Sequence, residues 1–168
     1  MLYDYPFGKE ITIEWDCPED LPQLFTDRDK LKHILQNLIN NALKFTEEGS
    51  ITVTARYVAE IDQVELTVTD TGVGIPPADL PLIFDRFRQI DSTRTRSHGG
   101  VGLGLHIVKT FTDLLNGQIL VTSKPGRGSS LLDHIALCGR GNRRGKHFRR
   151  PLVGLCSRLP ASFIARGQ

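Results

Sequence analysis

Three polar side chains fall on one stripe of an otherwise apolar segment: Asn37, Asn41 and Lys44, at positions i, i+4 and i+7. They offer hydrogen bonds and one positive charge, but no general base, since an amide cannot take a proton. Further on stands Asp70-Thr-Gly72-Val-Gly74-Ile75, a carboxylate followed by two glycines that let a backbone come close to a ligand. A third group is Phe84-Asp-Arg-Phe87, and a fourth is Gly99-Gly100-Val-Gly102-Leu103-Gly104-Leu105. A glycine run that opens a helix can turn its backbone N–H groups, with the helix dipole behind them, toward phosphate.

The elements that must position these groups are legible from periodicity. Glu10 to Asp16 alternates, with Ile11, Ile13 and Trp15 on one face, and predicts a half-buried strand. Pro18 and Pro22 mark a loop, and Asp27 is placed to cap the helix that follows. In that helix Leu31, Ile34, Leu35, Leu38, Ile39 and Ala42 form the core stripe, with the Asn37 stripe rotated away from it. Glu48-Gly49 is expected to end it. Ile51 to Tyr57 and Val64 to Thr69 alternate as strands, and Asp70 sits where the second runs out into its glycine turn. Pro76, Pro77 and Pro81 allow only short structure before Phe84. Residues 88–100 read as a polar loop, Leu103 to Leu115 as a helix, Gln118 to Ser123 as a strand, and Pro125 to Gly128 as a turn.

The glycine run lacks the Gly-Lys-Ser/Thr ending of a Walker loop and has the wrong spacing for a dinucleotide fingerprint. Asp70-Thr-Gly72 matches an aspartic-protease triplet only until Val73, and a protease would leave the asparagine helix unexplained. In their fixed order the four segments resemble the N, G1, F and G2 boxes of the ATP-binding catalytic domain of bacterial sensor histidine kinases, over roughly residues 8 to 130. The resemblance implies a Bergerat-type fold. This is a two-layer α/β sandwich whose mixed, largely antiparallel sheet is covered by helices.

It also implies ATP with Mg²⁺. Asn41 and Asn37 are then the metal-holding amides, Lys44 reaches a phosphate, and Phe45 packs beside the nucleotide. Asp70 accepts a hydrogen bond from the adenine amine, with Gly72, Gly74 and Ile75 lining the base. Phe87 flanks the lid, and Gly100, Gly102, Leu103, Gly104 and Leu105 bring their backbone to the phosphates. Gyrase-type relatives carry Glu at the place of Asn37 to activate water, so slow ATP hydrolysis is expected here. The γ-phosphoryl group would pass to a histidine on a separate dimerisation and phosphoacceptor domain, and from there to a response regulator. The five histidines, at 33, 98, 106, 134 and 147, are followed by Ile, Gly, Ile, Ile and Phe, and none fits a phosphoacceptor motif. The chain therefore reads as a catalytic domain alone, expected to be monomeric and not to autophosphorylate by itself. A serine kinase or ATPase of the same superfamily, and an interaction module that binds no nucleotide, stay open as alternatives.

The 168 residues suffice for one domain with a core, and 39% hydrophobic with 24% charged residues is ordinary for a globular chain. No apolar run reaches the ~18 residues of a membrane span. Cys17, Cys138 and Cys156 form no CxxC pair, so a reduced, cytoplasmic setting is expected, with the parent kinase free to be membrane-anchored. The net charge of +2 conceals segregation: every acidic residue lies at or before Asp133, whereas residues 138–168 hold only basic charges. Residues 131–168 are expected to be an atypical basic segment, non-native to the fold or disordered, after a domain at 1–130. No nucleic-acid partner is expected.

Overall fold

The computed structural model describes residues 10–18, 20–22, 26–87 and 102–136. Its elements are β1 (Ile11–Asp16), α1 (Arg28–Phe45), β2 (Gly49–Val58), β3 (Gln63–Asp70), a 3₁₀ turn (Leu80–Leu82), α2 (Gly104–Leu114), β4 (Gln118–Lys124) and β5 (Gly128–Ala136). The sheet runs β1-β2-β3-β5-β4. β1 and β2 are parallel, and every other pair is antiparallel. The mixed, largely antiparallel sandwich expected from the sequence is the fold observed.

The register explains the core. One cross-strand row joins Trp15, Val53, Val68, Leu131 and Val121, all apolar. Two residues along each strand, on the same face, the next row joins Ile13, Ile51, Asp70, Ser129 and Ser123. The inner face thus turns from apolar to polar within one step, toward β5 and β4. Leu31, Ile34, Leu35, Leu38 and Ile39 of α1 are at most 1% exposed against the apolar part, and Val108 of α2 joins them. Each such side chain contributes roughly 1.5–3 kcal/mol by leaving water.

Asp27 caps α1 as expected: its carboxylate accepts from the N–H groups of Asp29 and Lys30, both at 3.1 Å. The helix ends earlier than Glu48-Gly49. The Phe45 carbonyl accepts the Val73 N–H at 3.1 Å, and the Thr46 N–H closes the last turn on Ala42 O at 3.0 Å. A contact from a distant turn replaces the helical bond that would have continued α1.

β5 also departs from expectation. It runs past the boundary placed at residue 130, to Ala136, and lies inside the sheet between β3 and β4. A strand hydrogen-bonded along both sides is held by its ladders, and so does not need the clean alternation that Leu131-Leu132 breaks. Residues 137–168, with the rest of the basic segment, lie outside the described residues. Cys17 is disulfide-bonded, which corrects the expectation of reduced cysteines at that position. No helix among the described residues is long and apolar enough to cross a membrane.

Candidate functional site

One wall of the site is the polar stripe of α1. The Asn37 side-chain N–H donates to the His33 carbonyl at 2.8 Å, which fixes the amide and turns its oxygen away from its own helix. That oxygen faces the first residue of α2: a methyl group at Gly104 would sit 3.1 Å from Asn37 Oδ1 and 3.6 Å from Asn41 Nδ2. The Asn41 Nδ2 is buried and has no hydrogen-bond partner among the described residues. Leaving a buried amide unmatched costs about 1–3 kcal/mol, so such a group calls for a ligand. Among the described residues no side chain caps α2, whose N-cap is Leu103. Lys44 lies over the Phe45 ring, 5.1 Å from its centroid.

The other wall is the turn after β3. Asp70 is 6% exposed. Its Oδ1 accepts from the Gly72 N–H at 2.9 Å and the Ser129 N–H at 3.3 Å, which leaves Oδ2 for a ligand. Burial raises the Asp70 pKa above the usual carboxylate value, and the Gly72 and Ser129 N–H groups oppose that rise. The turn is pressed onto α1: a methyl group at Gly72 would come 2.3 Å from the Phe45 carbonyl oxygen. Gly74 lies equally close to the Lys124 carbonyl, where a methyl would come to 2.2 Å. The Ile75 N–H donates to Ser123 Oγ at 2.7 Å.

The structure thus brings together Asn37, Asn41 and Gly104 at one end, and Phe45, Asp70, Gly72, Gly74 and Ile75 at the other. Asn37 and Phe45 are eight residues apart on one helix, about 12 Å at 1.5 Å per residue. Leu103 and Leu105 flank Gly104 and are half-buried. The Phe87 N–H donates to the Gly102 carbonyl at 3.1 Å, but the Phe87 side chain is 68% exposed and leaves the core. Gly100 and the polar loop at 88–100 lie outside the described residues.

A shallow cavity of about 310 Å³ is lined by Thr69, Asp70, Thr122, Ser123, Lys124, Arg127, Gly128, Ser129 and Ser130, and its Thr69, Ser130 and Thr122 share one cross-strand row on the face of the sheet away from the helices. Asn37 and Asn41 are not in that wall. Those two asparagines stand beside Gly104 instead, and residues 88–101 fall outside the described set.

Ser123 and Ser129 were not singled out from sequence. The signal was present in the Gly126-Arg-Gly128-Ser129-Ser130 turn, but only strand register shows that Ser129 stands beside Asp70 and Ser123 beside Ser129. His106, considered only as a phosphoacceptor, has another place. Its Nε2 accepts from Arg86 Nε at 2.9 Å, so its Nδ1–H points at the Phe84 carbonyl, 3.1 Å away. Arg86 is thereby tied to α2.

A sheet backed by two helices on one face, with a buried carboxylate turn and an asparagine helix meeting a glycine-opened helix, defines an ATPase-type nucleotide domain. Residues 26–136 match the family of histidine kinase-, DNA gyrase B- and HSP90-like ATPases, and the chain belongs to that family. Among its relatives, the autoinducer 2 sensor kinase/phosphatase LuxQ of Vibrio harveyi is 42% identical over 129 residues, 74% of this chain and 15% of that protein. The signal transduction histidine-protein kinase BarA of Escherichia coli K12 is 39% identical over 135 residues, 77% of this chain and 14% of that protein. The chain therefore spans only about a seventh of the length of these kinases. Full-length ShkA, solved in complex with AMPPNP, superposes with a TM-score of 0.66 at 34% identity, over 74% of this chain and 25% of that one. The mycobacterial sensor histidine kinase MprB gives 0.63 at 30% identity, over 74% and 82%.

Proposed function

We propose that this chain is the ATP-binding catalytic domain of a two-component sensor histidine kinase, which presents Mg·ATP to a histidine on a separate domain. The observation that carries this reading is that one helix, α1, bears the unmatched Asn41 amide beside Gly104 and, at Phe45, the turn with the buried Asp70 carboxylate. Asp70 Oδ2 accepts the exocyclic amine of adenine, while Gly72, Gly74 and Ile75 hold the backbone close to the base. Phe45 and Phe87 border the nucleotide from α1 and from the rim. Lys44 and the N–H groups of Gly102, Leu103, Gly104 and Leu105, with Gly100 of the same run, face the phosphates.

The donor set fits Mg²⁺. Asn37 Oδ1 is already aimed at the groove, and a half-turn of the Asn41 amide places a second neutral oxygen there, beside phosphate oxygens. An ion held by these two residues supplies charge neutralisation of the phosphates. Asn37 has no proton-accepting group to activate water, so the domain holds ATP with slow hydrolysis until an imidazole arrives. The acceptor domain, the downstream response regulator, a cytoplasmic placement and a monomeric state belong to this same reading.

Calorimetric titration with ADP in Mg²⁺ tests it, with GDP as the comparison. Saturable one-to-one binding of ADP without GDP is expected. A folded sample that binds neither would overturn the reading.

The phosphate end has its own test. Gly104→Ala gives α2 a better helix former, worth at most about 1 kcal/mol, so its melting temperature should equal or exceed that of the parent. Its methyl group lands 3.1 Å from Asn37 Oδ1, and Mg·ADP affinity should fall about tenfold, or 1.4 kcal/mol. Unchanged affinity would show that the groove beside the asparagines holds no ligand.

A further inference from the structure

Ser123 is two strands away from Asp70, yet the register links them: Asp70 pairs with Ser129, and Ser129 pairs with Ser123. Three groups crowd the Ser123 hydroxyl: the Ile75 N–H at 2.7 Å, the Gly128 carbonyl at 3.0 Å and Ser129 Oγ at 2.9 Å. A hydroxyl has one proton and two lone pairs. The Ile75 N–H can only donate and the Gly128 oxygen can only accept. Ser123 therefore gives its proton to Gly128 and takes one from Ile75, so the contact with Ser129 is satisfied only if Ser129 donates. That leaves Ser129, paired across the strands with Asp70, with lone pairs alone to offer a ligand.

We propose that Ser123 is a positioning residue of the nucleotide site, setting the hydrogen-bond polarity of Ser129 and seating the turn that carries Asp70. The inference rests on the nucleotide reading above. An ionised Asp70 and a Ser129 with its proton engaged are two acceptors side by side. They select a base with an exocyclic amine and reject one with a carbonyl oxygen in its place. Without the Ser123 hydroxyl, Ser129 is free to turn its proton outward and satisfy a carbonyl. The same hydroxyl fixes Ile75, and the neighbouring Gly126 N–H bonds the Val73 carbonyl at 2.8 Å, so the β4–β5 turn and the Asp70 turn are held as one piece.

The test is the ratio of affinities for ADP and inosine diphosphate, which carries a carbonyl oxygen at the position of the adenine amine. The parent chain is titrated first. Its failure to bind ADP would remove the nucleotide reading and this inference with it, whereas the variants bear on Ser123 alone. Ser123→Ala is expected to lower ADP affinity about tenfold, the scale of one lost hydrogen bond, and to narrow the ADP preference. Ser123→Thr, which keeps the hydroxyl, should restore the ratio. If Ser123→Ala melts below the assay temperature, Ser123→Cys keeps the volume with a weak donor and should narrow the ratio in its place. Equal losses for both nucleotides, or an unchanged ratio in a folded variant, would reduce Ser123 to a packing residue.

Discussion

Asp70→Asn is expected to fold as well as the parent chain and to lose ADP affinity by about 10- to 100-fold, the range for a hydrogen bond to a charged group. The substitution keeps an oxygen for the Gly72 and Ser129 N–H groups and puts an NH₂ where Oδ2 stood. That NH₂ meets the adenine amine donor to donor. The parent site also titrates. Because burial raises the Asp70 pKa, the folded chain binds this proton more tightly than the unfolded chain. Stability from Asp70 is therefore fully present below the ordinary carboxylate pKa and declines as pH rises through the raised value. At neutral pH the carboxylate is ionised at some cost, so Asp70→Asn should melt at the same or a higher temperature than the parent. The difference should shrink as pH falls through that window. ADP affinity of the parent moves the opposite way, weakening as acid protonates the acceptor. Parental ADP affinity in the Asn variant, measured by calorimetry, would remove Asp70 from base recognition.

Gly128→Ala attacks the fold where β5 packs on the Asp70 backbone. Gly128 has φ +89°, and an added methyl group would lie 1.9 Å from the Asp70 carbonyl oxygen and 2.9 Å from the Thr71 Cα. Both neighbours are backbone, so relief requires β5 to move off β3. The left-handed conformation costs about 1–3 kcal/mol, and overpacking adds about 1–3 kcal/mol. Against a total stability of roughly 5–15 kcal/mol this is a large loss. Gly126→Ala separates the two causes, since Gly126 has φ +72° but nothing within 4 Å of the added methyl. Thermal melts should place Gly126→Ala slightly below the parent and Gly128→Ala far below it. Equal melting of the two variants would mean that β5 does not approach Asp70 so closely.

What the sequence disclosed followed from local pattern. The strands around Ile13, Val53 and Val68 show alternation, and the helix carrying Asn37 and Asn41 has an apolar stripe and an Asp27 cap. The Asp70 turn and the glycine run before α2 were marked by composition. What stayed hidden depends on long-range pairing. Ser129 and Ser123 are unremarkable serines until β5 is threaded between β3 and β4. The helix end at Phe45 is decided by Val73, which no window around residue 45 contains. Leu131 is buried in β5, though the doubled leucine there disguises a strand. The pinned Asn37 amide and the ring of His106 likewise needed three-dimensional partners.

The single hydrogen bond from Val73 to the Phe45 carbonyl gives the site a built-in ruler. It fastens the Asp70 turn to the last turn of α1, while Asn37 and Asn41 ride on the same rod. A straight helix barely stretches, so the interval between the two ends is set by residue count and not by closure around a ligand. On the proposed reading, a nucleotide held at the carboxylate end reaches the asparagines only if it spans the remaining turns of α1.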